Sequence, residues 1–513
     1  MAPAAATASF VVREDDGHDR GLKVLSPVST GGLVGEAEEV VALAVLPERI
    51  TSVCHWSLLP AEKLLKCSRS KVARYRSRAE QVADWKAGFK QECAALERWR
   101  AKMGNRLPPS LVRLLCRVLW KAETDSTLRE QMGQLKCHFE SYSADARAEL
   151  MLLAQGANSY MACAKSNDVD DPWAPADPSR ALLLARQLSQ LQIYAHTIMN
   201  SDQQALAVGL FAGKCRLVNH ADEANAVPVY RLSKGSRPQM QLVATRPLAA
   251  NEEVTISYVD PLASWLSRQT QLETQYLLPQ SPREVLASDA MQVELLPSSA
   301  TRDEPVQFAL HRGRFIVGVA HDRWGESPRA ATILDALRAD AAESALERGK
   351  KSLQLDHDHD DDDAHGISSR GNTFDELVAA LRDPAVTPSW QTLCVAAGLG
   401  ARSALGILAQ RRMHADIAKG NFEDALQCAN IVTPQLERVH TLASPELATH
   451  YAALAKLNNY FATDETRVRE CAQKAVESFS LVYGGTAVPR LGDQVEAKAT
   501  MTFLQDLLRV MDA

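Results

Sequence analysis

Strand-forming sequence is confined to two short blocks of this chain, residues 9–46 and 215–259, and a long, largely helical stretch lies between them. In the first block Phe10-Val11-Val12, Leu22-Lys23-Val24-Leu25 and Gly31-Gly32-Leu33-Val34 alternate apolar and polar positions between glycine breaks, the pattern of short strands. The second block holds Val227-Pro228-Val229-Tyr230, Gln241-Leu242-Val243-Ala244 and Glu253-Val254-Thr255-Ile256-Ser257-Tyr258. Pro228 cannot donate to a ladder, so its strand is expected at a sheet edge or to begin there. From about 60 to 155 the pattern reads as helix. Pro108-Pro109-Ser110 offers a start, followed by Leu111, Leu114, Leu115, Val118 and Leu119 at three- and four-residue spacing. A second helical block is expected from Pro178 to Met199. Strands and helices segregated in this way describe an α+β chain.

The tract Asp356-His357-Asp358-His359-Asp360-Asp361-Asp362-Asp363-Ala364-His365-Gly366 concentrates like charge and reads as an extended linker. Its Asp and His residues are potential metal ligands, but a loose tract gives them no fixed geometry. Beyond about 372 the pattern is helical throughout. Residues 420–426, 454–461 and 471–482 look like parts of helix pairs with a period of about 34 residues.

With 513 residues the chain is long enough for about three domains. A net charge of −6 argues against a protein that grips nucleic acid with its whole surface. Ten irregularly spaced cysteines do not make a disulfide scaffold, and they point to a reducing, intracellular setting, cytoplasm and/or nucleus. Metal binding by these thiols is left open at this level. The start, MAPAAATASF, lacks a basic region and runs into Arg13-Glu14-Asp15-Asp16, so no secretory leader is expected. The most apolar stretch, Leu393 to Ala409, is broken by Arg402 and glycines and falls short of a span of about 20 residues; a soluble monomer is expected.

The sharpest local signal is Leu217-Val218-Asn219-His220-Ala221-Asp222-Glu223-Ala224-Asn225, followed by Asn251-Glu252-Glu253-Val254-Thr255-Ile256-Ser257-Tyr258-Val259-Asp260. Together these resemble the two signature segments of SET-domain protein methyltransferases. Asn219, His220 and Asn225 match the first segment; Glu252, Glu253, Thr255 and Tyr258 match the second. Gly17-His18-Asp19-Arg20-Gly21-Leu22 with Gly31-Gly32-Leu33-Val34 resembles the N-terminal glycine segment, and Asn158-Ser159-Tyr160 the segment before the SET core. Residues 53–96 line up on a MYND finger, which brings the likeness to the SMYD (SET and MYND) family. Lys63 to Ser68, Val72 to Tyr75 and Trp85 all fall in place, and Pro109 to Leu115 resembles the helix that follows the finger.

The resemblance implies a SET β-fold of small sheets, split by a MYND-like insertion and helical insertions and followed by an α-helical, TPR-like C-terminal domain. The expected divisions are 1–50, the N-terminal part of the SET domain; 51–95, a degenerate MYND-like module; 96–155, a helical insertion; and 156–262, the SET core. Residues 263–345 form the post-SET and connecting region, 346–371 the acidic linker and 372–513 the helical domain. It also implies methyl transfer from S-adenosylmethionine to a lysine of a protein or peptide substrate, histone or not. The cofactor falls to His18, Arg20, Asn158, Asn219 and His220, the transferred methyl to Tyr258, and the lysine channel to Tyr276.

The departures concern metal. A MYND finger holds two zinc ions with seven cysteines and a histidine. Here the eight positions read Cys54, Ser57, Cys67, Ser70, Arg76, Glu80, Phe89 and Cys93. Asp222 and Leu277-Leu278-Pro279-Gln280 stand where a third zinc site would be, so no metal is expected at any of the three. An apolar cluster of Val53, Trp56, Leu58, Leu59, Leu64, Leu65, Tyr75, Trp85 and Phe89 is expected to hold the finger instead. Its basic residues, Lys63, Lys66, Arg69, Lys71, Arg74, Arg76 and Arg78, read as a solvated face more readily than as a nucleic-acid site. Cys116, Cys137, Cys163, Cys215, Cys394, Cys428 and Cys471 are expected in cores. The alternative to an enzyme is an inactive SET scaffold that binds protein partners through the finger remnant and C-terminal helices. Ala221 and Ala224, which replace a serine and a proline, and Asp19, which replaces a glycine, favour that alternative.

Overall fold

The computed structural model describes residues 10–14, 20–165, 176–263, 268, 271–278, 307–311, 314–318, 410, 413–484, 490 and 492–512. His18, Cys394 and the acidic tract lie outside the described residues. The chain forms two units, Met1–Tyr258 with His440–Ala513, and Val259–Val439. The segment expected as one helical domain, 372–513, is thus divided between them.

The first unit opens with β1 (Phe10–Glu14), β2 (Arg20–Val24), β3 (Leu33–Glu39) and β4 (Ala42–Val45). The finger segment contributes the short strands β5 (Leu65–Lys66) and β6 (Arg74–Tyr75), then α1 (Arg78–Asp84) and α2 (Lys90–Met103). Four helices follow: α3 (Ser110–Ala122), α4 (Ser126–Gly133), α5 (Ala144–Ala162) and α6 (Pro178–Tyr194). The chain then returns to strands: β7 (Ala195–Met199), β8 (Ala205–Leu210), β9 (Asn219–His220), β10 (Ala226–Arg231), β11 (Gln239–Ala244) and β12 (Glu253–Ile256). The second unit holds the antiparallel pair β13 (Gln307–His311) and β14 (Arg314–Gly318), and α7 (Phe422–Val439). The first unit closes with α8 (Pro445–Tyr460), α9 (Glu465–Tyr483) and α10 (Val495–Met511).

Three small sheets make the core of the first unit, in the orders β1-β2-β12-β9, β10-β11-β3 and β4-β8-β7. Each one joins a strand from before residue 46 to strands from after residue 194, and β7 and β8 lie outside the two blocks expected from the sequence, so no sheet forms from local sequence alone. Pro228 does sit on an edge strand, β10. β4 is buried along its whole length, with the Arg113 guanidinium of α3 donating to the Val45 carbonyl at 3.0 Å.

Local chemistry explains most helix ends. Ser77 accepts from the Glu80 amide at the start of α1, Asp125 from Leu128 at α4, and Ser143 from Ala146 at α5. Asp177 before Pro178 starts α6, and Ser444 before Pro445 starts α8. Gly484, at φ 90°, closes α9 in the left-handed conformation that suits glycine.

Two boundaries differ from the sequence expectation. Residues 60–77 are turns and strands, and the first helix begins only at Arg78. The block expected as helix to Met199 stops at Tyr194, and residues 195–199 pair with β8. Ala195 turns to ψ 136° with no glycine or proline to announce the change. The finger cluster is smaller than expected. Val53, Leu58, Leu59, Tyr75 and Phe89 are buried, but Leu65 is 43% and Trp85 38% exposed. Cys137 is only half-buried.

The finger packs instead on a buried ionic cluster. Glu92 of α2 accepts from Arg113 Nε at 3.0 Å and from Arg117 Nε. Arg117 also stands 3.7 Å from Asp84, which accepts from the Tyr75 hydroxyl at 2.8 Å. Burial pushes the Glu92 carboxyl up, but Arg117 and Arg113 outweigh it and hold the group below its usual range. At Asp84 burial wins and the carboxyl is raised. The last helices of the first unit are tied to its sheets through buried polar contacts. Gln494 accepts from the Ser201 amide at 2.7 Å and donates to the Tyr230 carbonyl at 3.1 Å. Arg490 reaches the Gly31 carbonyl at 2.7 Å.

His55 is 1% exposed. Burial, with Arg113, Arg117 and Arg74 nearby, drives its imidazole well below 6.5. The unfolded chain therefore takes up a proton that the folded chain refuses. Stability carried by neutral His55 is complete above about pH 6.5 and declines as pH falls below it, at up to about 1.4 kcal/mol per pH unit. Urea unfolding between pH 7.5 and 5.5 is expected to show a steeper loss for the wild type than for His55→Asn. Equal slopes would show that His55 does not titrate on unfolding.

Candidate active site

The two motif segments meet on one sheet. β12 lies between β2 and β9. It runs antiparallel to β2, with Val254 opposite Leu22, and parallel to β9, with Thr255 opposite Asn219 and Ile256 opposite His220. A parallel pair needs a crossover rather than a tight turn, and here β10 and β11 supply it.

Asn225 locks this register. Its amide nitrogen donates to the Glu253 carbonyl at 2.7 Å, its amide oxygen accepts from the Thr255 amide at 2.8 Å, and its own carbonyl accepts from Thr245 at 2.9 Å. A buried asparagine with both a donor and an acceptor can pair with a strand as another strand would.

Asn219 Nδ2 donates to Glu253 Oε1 at 2.8 Å. Gly21 of β2 faces this pair. A Cβ there would stand 2.6 Å from Glu253 Oε1 and 3.1 Å from Asn219 Nδ2, so a side chain at that point would have to displace this pair. The Tyr258 hydroxyl donates to the Val218 carbonyl at 2.6 Å, and its amide donates to His220 Nδ1 at 3.1 Å. The two rings lie 5.4 Å apart. With Nδ1 accepting, a neutral His220 carries its proton on Nε2. Among the described residues, that buried atom has no hydrogen-bond partner, the Asp222 carboxylate being 3.7 Å away. A buried donor left without a hydrogen bond is a setting for a polar ligand.

Of the residues expected at the site, Asn219, His220 and Tyr258 are brought together in this way. Arg20 opens β2. Asn158 is half-buried on α5. Tyr276 ends the short helical turn Leu272–Tyr276 of the second unit and is half-buried. The structure adds Gly21, Glu253 and Asn225 as residues that set the geometry. All three lie in the motif segments, but a sequence does not reveal which motif residues touch one another.

The finger positions form two separate groups. Cys54 donates to Glu80 Oε2 at 3.6 Å, and Ser57 adds a hydrogen bond to Cys54. Glu80 in turn accepts from the Gly235 amide at 3.1 Å. Cys67 and Cys93 lie sulfur to sulfur at 3.8 Å, with Ser70 bonded to Cys67, while Phe89 packs edge-on to Tyr75. The hydrogen bond from Cys93 pulls the Cys67 thiol down to about 5, and the same bond pushes Cys93 up. One group thus offers one thiol and one carboxylate, the other two thiols. Neither presents the four soft donors of a structural zinc site.

Residues 48–259 match the family model described as the SET domain. Histone-lysine N-methyltransferase SMYD3 of Mus musculus and of Homo sapiens are each 29% identical to this chain over 260 residues, 50% of it and 56% of theirs. Histone-lysine N-methyltransferase Smyd1 of Mus musculus is 26% identical over 277 residues, 51% of this chain and 52% of its own. SET domain and MYND-type zinc finger protein 6 of Schizosaccharomyces pombe is 26% identical over 239 residues, 47% and 44%. The chain carries a SET domain, set in an α+β fold of small sheets with a helical C-terminal region. Within that class it is related to the SMYD proteins, and it spans about half the length of the curated relatives it matches.

Replacing Asn225 by alanine removes its bonds to the Thr255 amide and the Glu253 carbonyl. At about 1–3 kcal/mol for each unsatisfied buried group, a loss of at least about 2 kcal/mol is expected in urea unfolding. An unchanged midpoint would show that β9 and β12 hold their register without it.

Proposed function

We propose that the chain is an S-adenosylmethionine-dependent protein-lysine methyltransferase of the SMYD-like SET class. The observation that carries this reading is the meeting of Asn219, His220 and Tyr258 beside Gly21 of β2. S-adenosylmethionine, when bound, supplies a methyl group on a sulfonium.

The protein's part is alignment and solvation. Asn219, held by Glu253, and His220, with its free Nε2 proton, hold the polar parts of the donor, together with Asn158 and groups near His18 and Arg20. The Tyr258 hydroxyl and amide are both held by hydrogen bonds, and its phenol oxygen would be the group that faces the transferred methyl. Fixing two reactants in line removes much of the entropic part of the barrier. The acceptor lysine, with an ordinary pKa of about 10.4, must enter uncharged, which an apolar surrounding would promote by desolvation. The substrate is a protein or peptide lysine.

The finger, 51–95, is read as a metal-free MYND remnant held by the ionic cluster and the two side-chain groups. The pair α8 and α9, joined through residues 461–464, is read as TPR-like and as a face for protein partners. Lys63, Lys66, Lys71 and Arg78 are exposed and Arg69 pairs with Glu97. That dispersed arrangement supports a solvated surface rather than nucleic-acid binding. Among the described residues, no helix is long and apolar enough to cross a membrane.

Calorimetric titration with S-adenosylmethionine is expected to show binding by the wild type and a loss of at least tenfold in Asn219→Ala. No binding by the wild type would overturn the enzyme reading in favour of a scaffold. Tyr258→Phe is expected to bind the cofactor normally and to lose about 100-fold in turnover on peptide arrays, as for removal of one oriented polar group at a reacting centre. Equal turnover would show that Tyr258 is misassigned. Metal analysis of the purified protein is expected to find less than one zinc per chain, and two or more would overturn the metal-free reading of the finger.

A further inference from the structure

We propose that Cys67 and Cys93 form a reversible disulfide that fastens the finger turn to α2. The sulfurs stand in contact at 3.8 Å although 26 residues separate them in sequence. Their backbones are held together independently of the thiols. Arg69 pairs with Glu97 at 2.5 Å, and Arg100 donates to the Ser70 carbonyl at 3.1 Å. The turn just after Cys67 is thus tied to α2 beyond Cys93. A bond length of about 2.05 Å requires the sulfurs to close by less than 2 Å.

Cys67 is 4% and Cys93 0% exposed, yet the residues flanking Cys67, namely Lys66, Ser68, Arg69 and Lys71, are exposed. A small oxidant has only the turn itself to pass. Cys54 differs, since its neighbour is the Glu80 carboxylate and not a second sulfur.

The chemistry needs a peroxide as oxidant. The Cys67 sulfur attacks one peroxide oxygen, the O–O bond breaks, and a sulfenic acid forms with release of water. The Cys93 sulfur then attacks the Cys67 sulfur, an S–S bond forms, the S–O bond breaks, and a second water leaves. Two thiols lose two electrons, and one peroxide is reduced to two waters. A dithiol reductant reverses the step. The closed loop restricts the unfolded chain and so raises thermal stability.

The test uses the full chain, freed of metal by a chelator and exposed to hydrogen peroxide at modest excess. After alkylation of remaining thiols, mass spectrometry is expected to find a loss of about 2 Da and a peptide pair joined at Cys67 and Cys93, both reversed by dithiothreitol. Cys67→Ser and Cys93→Ser each remove the joined pair, whereas Cys54→Ser retains it. Oxidation is expected to raise the wild-type melting temperature by about 5 °C and to leave Cys93→Ser unshifted.

Several results overturn the proposal. They are joined peptides through other cysteines, oxidation of Cys67 to sulfinic acid without a bridge, and reaction that proceeds only as fast as global unfolding. One zinc per chain, bound before chelation and protecting both thiols, overturns it as well. None of these readouts depends on methyl transfer, so the disulfide and the enzyme reading stand or fall separately.

Discussion

The parallel pairing of β9 with β12 is the contact on which the candidate site depends. It sets Asn219 opposite Thr255 and His220 opposite Ile256, and it brings Tyr258 close enough to bond both His220 and the Val218 carbonyl. A shift of one residue would turn every side chain on β12 to the other face. Asn225 prevents that shift by bonding β12 on both its donor and acceptor sides. The site is therefore built on strand register rather than on a flexible loop. That suits a reaction which asks for alignment more than for a nucleophile.

Residues 51–95 are held together largely by buried polar contacts. The ligand positions still gather into two groups, Cys54 with Ser57 and Glu80, and Cys67 with Ser70 and Cys93. Within each, the side chains hydrogen-bond to one another. Beneath them Glu92, Arg113, Arg117, Asp84 and Tyr75 form a buried network that reaches from the finger to β4. Buried charges are costly unless paired, and this cluster pairs nearly all of them. Glu80 ties this segment to the turn at Gly235.

Much of the fold was legible where local sequence and final environment agree. The strand pattern of residues 9–46 became β1 to β4, and Pro228 marked an edge strand because a missing N–H has only that place in a sheet. Reading failed where local signals were silent. Helix α6 passes into β7 without a breaker, and β7 exists because β8 is there to pair with it. Leu65 and Trp85 read as core by their apolar character but are exposed, because apolar character alone does not say which side of a short strand or helix faces inward. In the site, the motif letters pointed to Asn219, His220 and Tyr258, whereas the roles of Gly21, Glu253 and Asn225 depend on distances across strands.

The sequence by itself determined the class of the chain, the identity of its polar motif residues, and the shortage of thiols at finger positions. Each is a matter of residue type and spacing along one dimension. Only the tertiary structure decided which motif residues touch, which ring nitrogen of His220 is left without a partner among the described residues, and which two cysteines lie in contact. Those outcomes follow from pairing between segments far apart in the chain. Such pairing is set by the summed packing and hydrogen bonding of whole sheets, and no single segment encodes it.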